Sequence, residues 1–288
     1  MKIRKLTNDD QQALETFLYR HIESSLFMLS NSRIAGLEFH GRDYQGDYYA
    51  AFSEENELTA VLAHYWNGNL MMQIPDADAF EPLSTALLQD VKRPVCGILG
   101  DNTQSERLIQ LLGLADADYM LNRAEGLFAL SLDALQQTPF PNNARCIAVN
   151  KSHSDLLTGW LSAYNIEALG ADDDAALADR VNRTVSRMTT GDADWLLEIN
   201  GDPVALSGIN ANLPEVVQIG PVWTPPEHRS RGYARILVAK TLELAKQRGV
   251  QKAILFTDNP AAIKAYQAVG FERIGSFRLA LLRNEVNL

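Results

Sequence analysis

The sequence predicts an α/β chain of two domains that repeat one order of elements, each a twisted mixed sheet flanked by helices. Three observations predict this. The 288 residues suit two cores of ordinary size, about 140 residues each. Apolar residues alternate in some segments and recur at three- and four-residue spacing in others, which separates strands from helices. The order that results is strand, helices, three strands, helix, strand, helix, strand. It occurs on both sides of a polar stretch at 136–143 that carries Pro139 and Pro141. The repeat is one of element order, without evident identity between the halves.

Residues 1–6 alternate as a short strand. Thr7, Asn8, Asp9 and Asp10 offer capping side chains before a helix expected over 11–30, where Leu14, Leu18, Ile22 and Leu26 recur every four residues. Tyr48 to Phe52 and Leu58 to Tyr65 read as strands around a Glu54-Glu55-Asn56 turn. Leu70 to Ile74 follows the hairpin signal Asn67-Gly68-Asn69. A helix from Ala79 to Val91, a strand from Val95 to Leu99, a helix from Ser105 to Leu112 and strands within 119–132 complete the first half.

In the second half, 144–149 is a strand, and helices fill 155–169 and 173–188. Residues 195–199, 204–209 and 216–223 are three successive strands. A helix spans 232–248, a strand 253–257 and a helix 261–269, and 271–283 closes the fold. The expected domains are therefore 1–135 and 144–288, with 136–143 as linker.

Charge divides unevenly between the halves. The chain carries 26 Lys and Arg against 36 Asp and Glu, a net charge of -10. Residues 1–140 hold 10 basic and 20 acidic side chains, and residues 141–288 hold 16 of each. An acidic first half disfavours a nucleic-acid partner, whereas the neutral second half can accept a polyanionic ligand. Cys96 and Cys146 lie in apolar strand contexts and read as core thiols, with no CxxC spacing. His21, His40, His64 and His153 lack metal-ligand spacing and there is no HExxH, so no metal is expected. The start lacks a signal-peptide pattern and no apolar run reaches about 18 residues. A cytoplasmic protein with no membrane partner is expected.

Chemistry concentrates in 218–235. A strand ends at Thr224, Pro225 and Pro226 stop its ladder, and Arg229-Ser230-Arg231-Gly232-Tyr233-Ala234-Arg235 opens the next helix. First-turn amides have no intrahelical partner, and with the helix dipole they form an anion site. Gly232 permits close approach, Arg229 and Arg231 supply charge, and Ala234 is small. The loop is neither a GxxxxGK[ST] nor a GxGxxG motif. Upstream, Gly220-Pro221 within the strand predicts a bulge that splays it from its parallel neighbour and exposes main-chain groups of Val222 and Thr224. Downstream, Asn259 is placed to cap a helix starting at Pro260, slim through Ala261, Ala262, Ala265 and Ala268. Tyr266 lies about two turns along it, facing either the groove or the surface.

With both segments in order, 218–271 resembles the GNAT superfamily of coenzyme A dependent N-acetyltransferases. Arg229, Gly232 and Ala234 match its cofactor loop, Val222 and Thr224 the preceding strand end, and Asn259, Ala262, Tyr266, Gly270 and Phe271 its second signature. The likeness is clear over about 200–283 and extends by element order back to 144. It implies acetyl-CoA as co-substrate, with the pantetheine arm against Val222 and Thr224 and near Asn259. The amides of residues 230–235 would hold the pyrophosphate. It also implies direct attack by a neutral amine, with Tyr266 protonating the departing thiolate. The Val222 amide is the candidate oxyanion donor. Glu215 is the first choice for general base, ahead of Glu198 and Glu167, while His228 sits in the loop itself.

The expected partner is a small-molecule amine, and a homodimer is compatible with the sequence. In the first half, Pro75-Asp76-Ala77-Asp78-Ala79-Phe80-Glu81 replaces the anion loop with carboxylates. Asn102 and Gly113 keep the spacing of Asn259 and Gly270, but Ile109 stands where Tyr266 would be. This half resembles a degenerate copy without cofactor binding. The competing function is a non-catalytic acyl-CoA sensor or scaffold; a different acyl donor or a protein amine is the other alternative.

Overall fold

Both expected element orders are present in the computed structural model, which describes residues 1–288. The first runs β1 (Lys2–Lys5), α1 (Gln11–Tyr19), α2 (Ile22–Ala35), β2 (Gly46–Phe52), β3 (Leu58–Tyr65), β4 (Asn69–Gln73), α3 (Phe80–Asp90), β5 (Val95–Asp101), α4 (Asn102–Leu111) and β6 (Tyr119–Ser131). The second runs β7 (Ala144–Ala148), α5 (Ser154–Leu169), α6 (Ala175–Thr190), β8 (Asp194–Ile199), β9 (Asp202–Asn212), β10 (Val216–Trp223), α7 (Tyr233–Gln247), β11 (Lys252–Thr257), α8 (Pro260–Gln267) and β12 (Glu272–Val286). No helix is long and apolar enough to cross a membrane.

The helix expected over 11–30 is two helices, broken at Arg20 and His21. At 3.6 residues per turn, a four-residue spacing drifts about 40° each step, so one straight helix cannot keep Leu14 and Leu26 on one face. The break re-aims the chain, and Leu14, Leu18, Ile22 and Leu26 are all buried.

The chain divides into two compact units, Met1–Gly126 with Gly275–Leu288, and Leu127–Ile274. This differs from the limits expected from sequence in two ways. Residues 136–143 belong to the second unit: the Gln136 amide donates to the Val269 carbonyl at 3.1 Å. The final segment belongs to the first unit, because β12 pairs antiparallel with β5 from Phe277↔Asp101 to Leu281↔Gly97 and again at Val286↔Val95. Edge pairing, rather than chain order, assigns that strand.

In the first unit β1 to β4 pair antiparallel in sequence, and β4 runs parallel to β5. In the second, β7 to β10 pair antiparallel in sequence, and β10 runs parallel to β11. Leu62, Met72, Phe80, Leu83, Ile98 and Leu108 form part of one core, and Leu197, Ala205, Val217, Leu237, Leu242 and Phe271 part of the other. Each of the larger of these side chains contributes on the order of 2 kcal/mol by leaving water. Cys96 and Cys146 are free and half-buried, and burial raises both thiols, Cys146 to about 11.

Candidate acyl-CoA site in the second unit

The pairing of β10 changes along its length. On the β9 side, Gln218 faces Ala211 and Ile219 faces Ile209, yet Val222 faces Ser207, so three steps on β10 oppose two on β9. That is a bulge centred on Gly220-Pro221, where the sequence predicts it. On the β11 side, pairing stops after Val216↔Lys252, Val217↔Ala253 and Gln218↔Ile254, although β10 continues to Trp223 and β11 to Thr257. The parallel strands thus separate beyond Gln218. β4, the corresponding strand of the first unit, pairs with β3 without any register shift.

The loop after β10 ends at the N-terminus of α7. Residues 229–232 are exposed, and the amides of Ser230, Arg231, Gly232, Tyr233, Ala234 and Arg235 find no acceptor within the protein. Gly232 is the N-cap at φ +77, and a Cβ there would meet only an Arg235 guanidinium nitrogen at 3.8 Å. Ser230 is also left-handed, at φ +62. Alternating conformations of this kind turn successive N–H groups toward one point and make an anion-binding concavity. Arg231 and Arg235 are exposed and form no ion pair.

Arg229 is used differently from Arg231. Its Nε donates to the Thr224 carbonyl at 3.0 Å, its terminal nitrogen to Glu167 at 2.9 Å, and its guanidinium lies 4.9 Å from the Trp223 ring centroid. It braces the loop against the strand end. Thr224 Oγ1, Trp223 Nε1 and His228 Nδ1 are buried without a partner, polar atoms of the sort that a ligand can satisfy. Val222 is half-buried and follows the bulge directly.

α8 begins as expected. Asn259 Oδ1 accepts from the Ala261 and Ala262 amides at 2.9 and 3.2 Å, with Pro260 in the first turn. Ala262 is half-buried. Tyr266 is 7 % exposed, within the core, its ring 6.0 Å from that of Phe271.

Two of the three carboxylates proposed as base lie elsewhere. Glu215 precedes β10, and its carbonyl accepts from Gln251 and Lys252 at the start of β11. It sits at the end of the parallel pair opposite the loop, about 23 Å of extended strand from Val222 at ~3.3 Å per residue. Glu198 pairs with Arg145 and Pro203 at the far end of β8, and Glu167 is held by Arg229. Glu215 and Glu198 are not brought to the bulge, and Glu167 reaches the Thr224 end of β10 with its charge engaged by Arg229.

Two polar residues beside the bulge escape a reading by motif. Gln218 is buried with Oε1 unpartnered. Asp194 opens β8, 2 % exposed, with Oδ1 unpartnered and Oδ2 3.5 Å from Arg187 of α6. Burial pushes its carboxyl up to about 6, against the lowering effect of Arg187 and with a further rise from Asp192. The available signal was an acidic residue opening an apolar strand, Asp194-Trp195-Leu196-Leu197, where Asp is depleted.

Residues 155–271 match the profile of the acetyltransferase (GNAT) family. The fold is that of the GNAT superfamily. N-acetyltransferase family 8 member 2 of Rattus norvegicus is 27 % identical over 139 residues, 45 % of this chain, which spans 58 % of that relative's length. The crystal structure of a Drosophila protein superposes at a TM-score of 0.71 with 12 % identity, covering 98 % of this chain and 99 % of that one. A tandem GNAT protein from the clavulanic acid biosynthesis pathway gives 0.56 with 12 % identity, covering 99 % and 98 %. The chain thus has a GNAT-like α/β fold in a tandem-like arrangement, and the family match falls on the unit that holds the bulge, the separated strands and the open amides.

Proposed function

We propose that the second unit is an acyl-CoA dependent N-acyltransferase that moves an acetyl group from acetyl-CoA directly to an amine of a small molecule. The observation that carries this reading is the separation of β10 from β11 beyond Gln218, which leads to exposed, unpartnered amides at the start of α7. The residues present fit the co-substrate. Amides of 230–235 offer donors for a pyrophosphate, Arg231 and Arg235 add charge, and the open side of Gly232 admits a phosphate to the backbone. Main-chain groups of Val222 and Thr224, with Asn259 and Ala262 across the gap, are the proposed neighbours of the pantetheine arm. Arg229 acts on the loop, fixing it to Thr224 and Glu167.

When bound, acetyl-CoA supplies the acyl group as a thioester. The Val222 amide is the proposed donor to the oxygen that becomes negative during attack. Tyr266 is the proposed proton donor to the departing thiolate, the two having comparable basicity near ~10. The first unit is proposed to have lost this chemistry. In it the Ile74 amide is occupied by Gln104 Oε1 at 2.6 Å, and Asp76 caps its own Asp78 amide where an anion loop would lie.

The test is calorimetric titration of the full chain with acetyl-CoA, followed by thiol release with a panel of amino acids, polyamines and aminoglycosides. Saturable binding and release with one class are expected. Tyr266→Phe should lower kcat about 100-fold while leaving acetyl-CoA affinity within about twofold. Absence of binding defeats the reading; binding without release by any amine makes the chain a sensor.

A further inference from the structure

The transferase reading leaves the acceptor's proton without a destination once Glu215 and Glu198 are placed away from the bulge and Glu167 is engaged by Arg229. Asp194 and Gly208 are paired across β8 and β9, and Gly208 lies opposite the bulge of β10. Because Gly208 has no side chain, the Asp194 carboxylate lies over β9. A Cβ on Gly208 would sit 2.3 Å from Asp194 Oδ1 and 3.3 Å from the Gly220 carbonyl oxygen. Asp194 Oδ1 therefore occupies the position that a side chain at 208 would take, on the side of β9 that faces the bulge carbonyl. The Gln218 amide adjoins it, with its Nε2 3.2 Å from the corresponding point on Gly220 and its Oε1 unpartnered. Asp194 Oδ1 and Gln218 Oε1 are buried acceptors without donors, which are costly unless something donates to them. An ammonium group, with three N–H donors and a positive charge, answers that set of acceptors.

We propose that Asp194 is the proton acceptor for the amine substrate, taking the proton at Oδ1 while the Gly220 carbonyl holds the same nitrogen. The proposal rests on the transferase reading. The ammonium N–H bond breaks and an O–H bond forms on Asp194. The freed lone pair forms the N–C bond to the thioester carbonyl and the C–S bond breaks. Tyr266 gives its proton to the thiolate, the second amine proton restores the Tyr266 phenol, and Asp194 returns its proton to water. The charged groups acting on Asp194 are Arg187 from α6, which favours the carboxylate, and Asp192 from the preceding turn, which opposes it. Its neighbours just after β7 and on β9 and β10 (Val149, Gly208, Gln218, Gly220) are uncharged.

The experiment measures kcat against pH for the full chain, with saturating acetyl-CoA and the best acceptor from the amine panel. The wild type should show an acid limb near pH 6. Asp194→Asn should lower kcat at least about 100-fold and abolish the limb, with acetyl-CoA binding unchanged. Arg187→Gln should move the limb to higher pH and Asp192→Asn to lower pH, shifts that a carboxylate merely anchoring α6 would not produce. If Asp194→Asn retains kcat within about twofold, or if neither neighbour moves the limb, the assignment fails. Should Asp194→Asn not fold, the two neighbour variants decide. Failure of the wild type to bind acetyl-CoA or release thiol would instead defeat the transferase reading, so the two failures are told apart.

Discussion

Asp194 and His64 titrate in opposite senses, and each leaves its mark on the stability of its own unit. The Asp194 carboxyl, held up to about 6 by burial, binds its proton more tightly folded than unfolded, where it titrates near ~3.9. Its contribution is fully present below pH ~4 and is lost as pH rises through 6, so at pH 7 the buried carboxylate costs about 3 kcal/mol. Asp194→Asn should therefore raise the melting temperature at pH 7 and leave it nearly unchanged at pH 4. A residue that destabilises its fold at neutral pH fits a functional role better than a structural one. His64 is buried, its ring pushed down to about 4 by desolvation and by Arg93, with Nδ1 unpartnered. Here the unfolded state binds the proton first, near ~6.5, and stability falls as pH drops from about 6.5 to 4. The first unit should lose amide-exchange protection in that window, and His64→Gln should flatten the loss. The sequence marks Asp194 only as an acidic residue opening an apolar strand and does not mark His64 at all, because burial comes from neighbours brought together by pairing, such as Gly208 beside Asp194.

Elements show where local chemistry suffices. The cap of α8 is written in Asn259-Pro260 and forms as read, with Asn259 Oδ1 bonded to two amides. Asn259→Ala should cost about 1 kcal/mol, measured by denaturant melts. The turn into α7 is equally local. Gly232 holds φ +77 at the N-cap, a conformation costing a β-branched residue about 1–3 kcal/mol. Gly232→Val should weaken acetyl-CoA binding about tenfold or more, since each 1.4 kcal/mol of distortion at the amides is a factor of ten. The bulge was legible in Gly220-Pro221 for the same reason, two residues that fit a regular ladder poorly. Glu215 shows the limit of such reading. It lies beside the right strand, but its usefulness depends on which end of the β10–β11 pair carries the loop, and it flanks the other end.

At the scale of the whole molecule, chain order and spatial order part company in the last strand. Residues 275–288 extend the sheet of the first unit by pairing with β5. Arg278 reinforces this with hydrogen bonds to Asn102 and Glu106, at 2.9 and 2.6 Å. Deleting 275–288 should expose the β5 edge and unfold or oligomerise the first unit. Limited proteolysis should then cut within 1–126 while leaving peptides from the second unit. A fragment cut near residue 140 would lack that strand, so the linker expected at 136–143 is not a boundary at which the protein can be divided.

By itself, the sequence determined whatever depends on residues near one another in the chain: the doubled element order, the helix caps, the bulge and the open turn at 229–235. Periodicity, capping and turn chemistry act over a few residues, and few alternatives compete with them. The tertiary structure alone decided which edge receives β12, which carboxylate approaches the bulge, and which polar atoms are left buried without partners. Those outcomes depend on pairing between strands distant in sequence, where the identity of a neighbour such as Gly208 sets how far a side chain reaches.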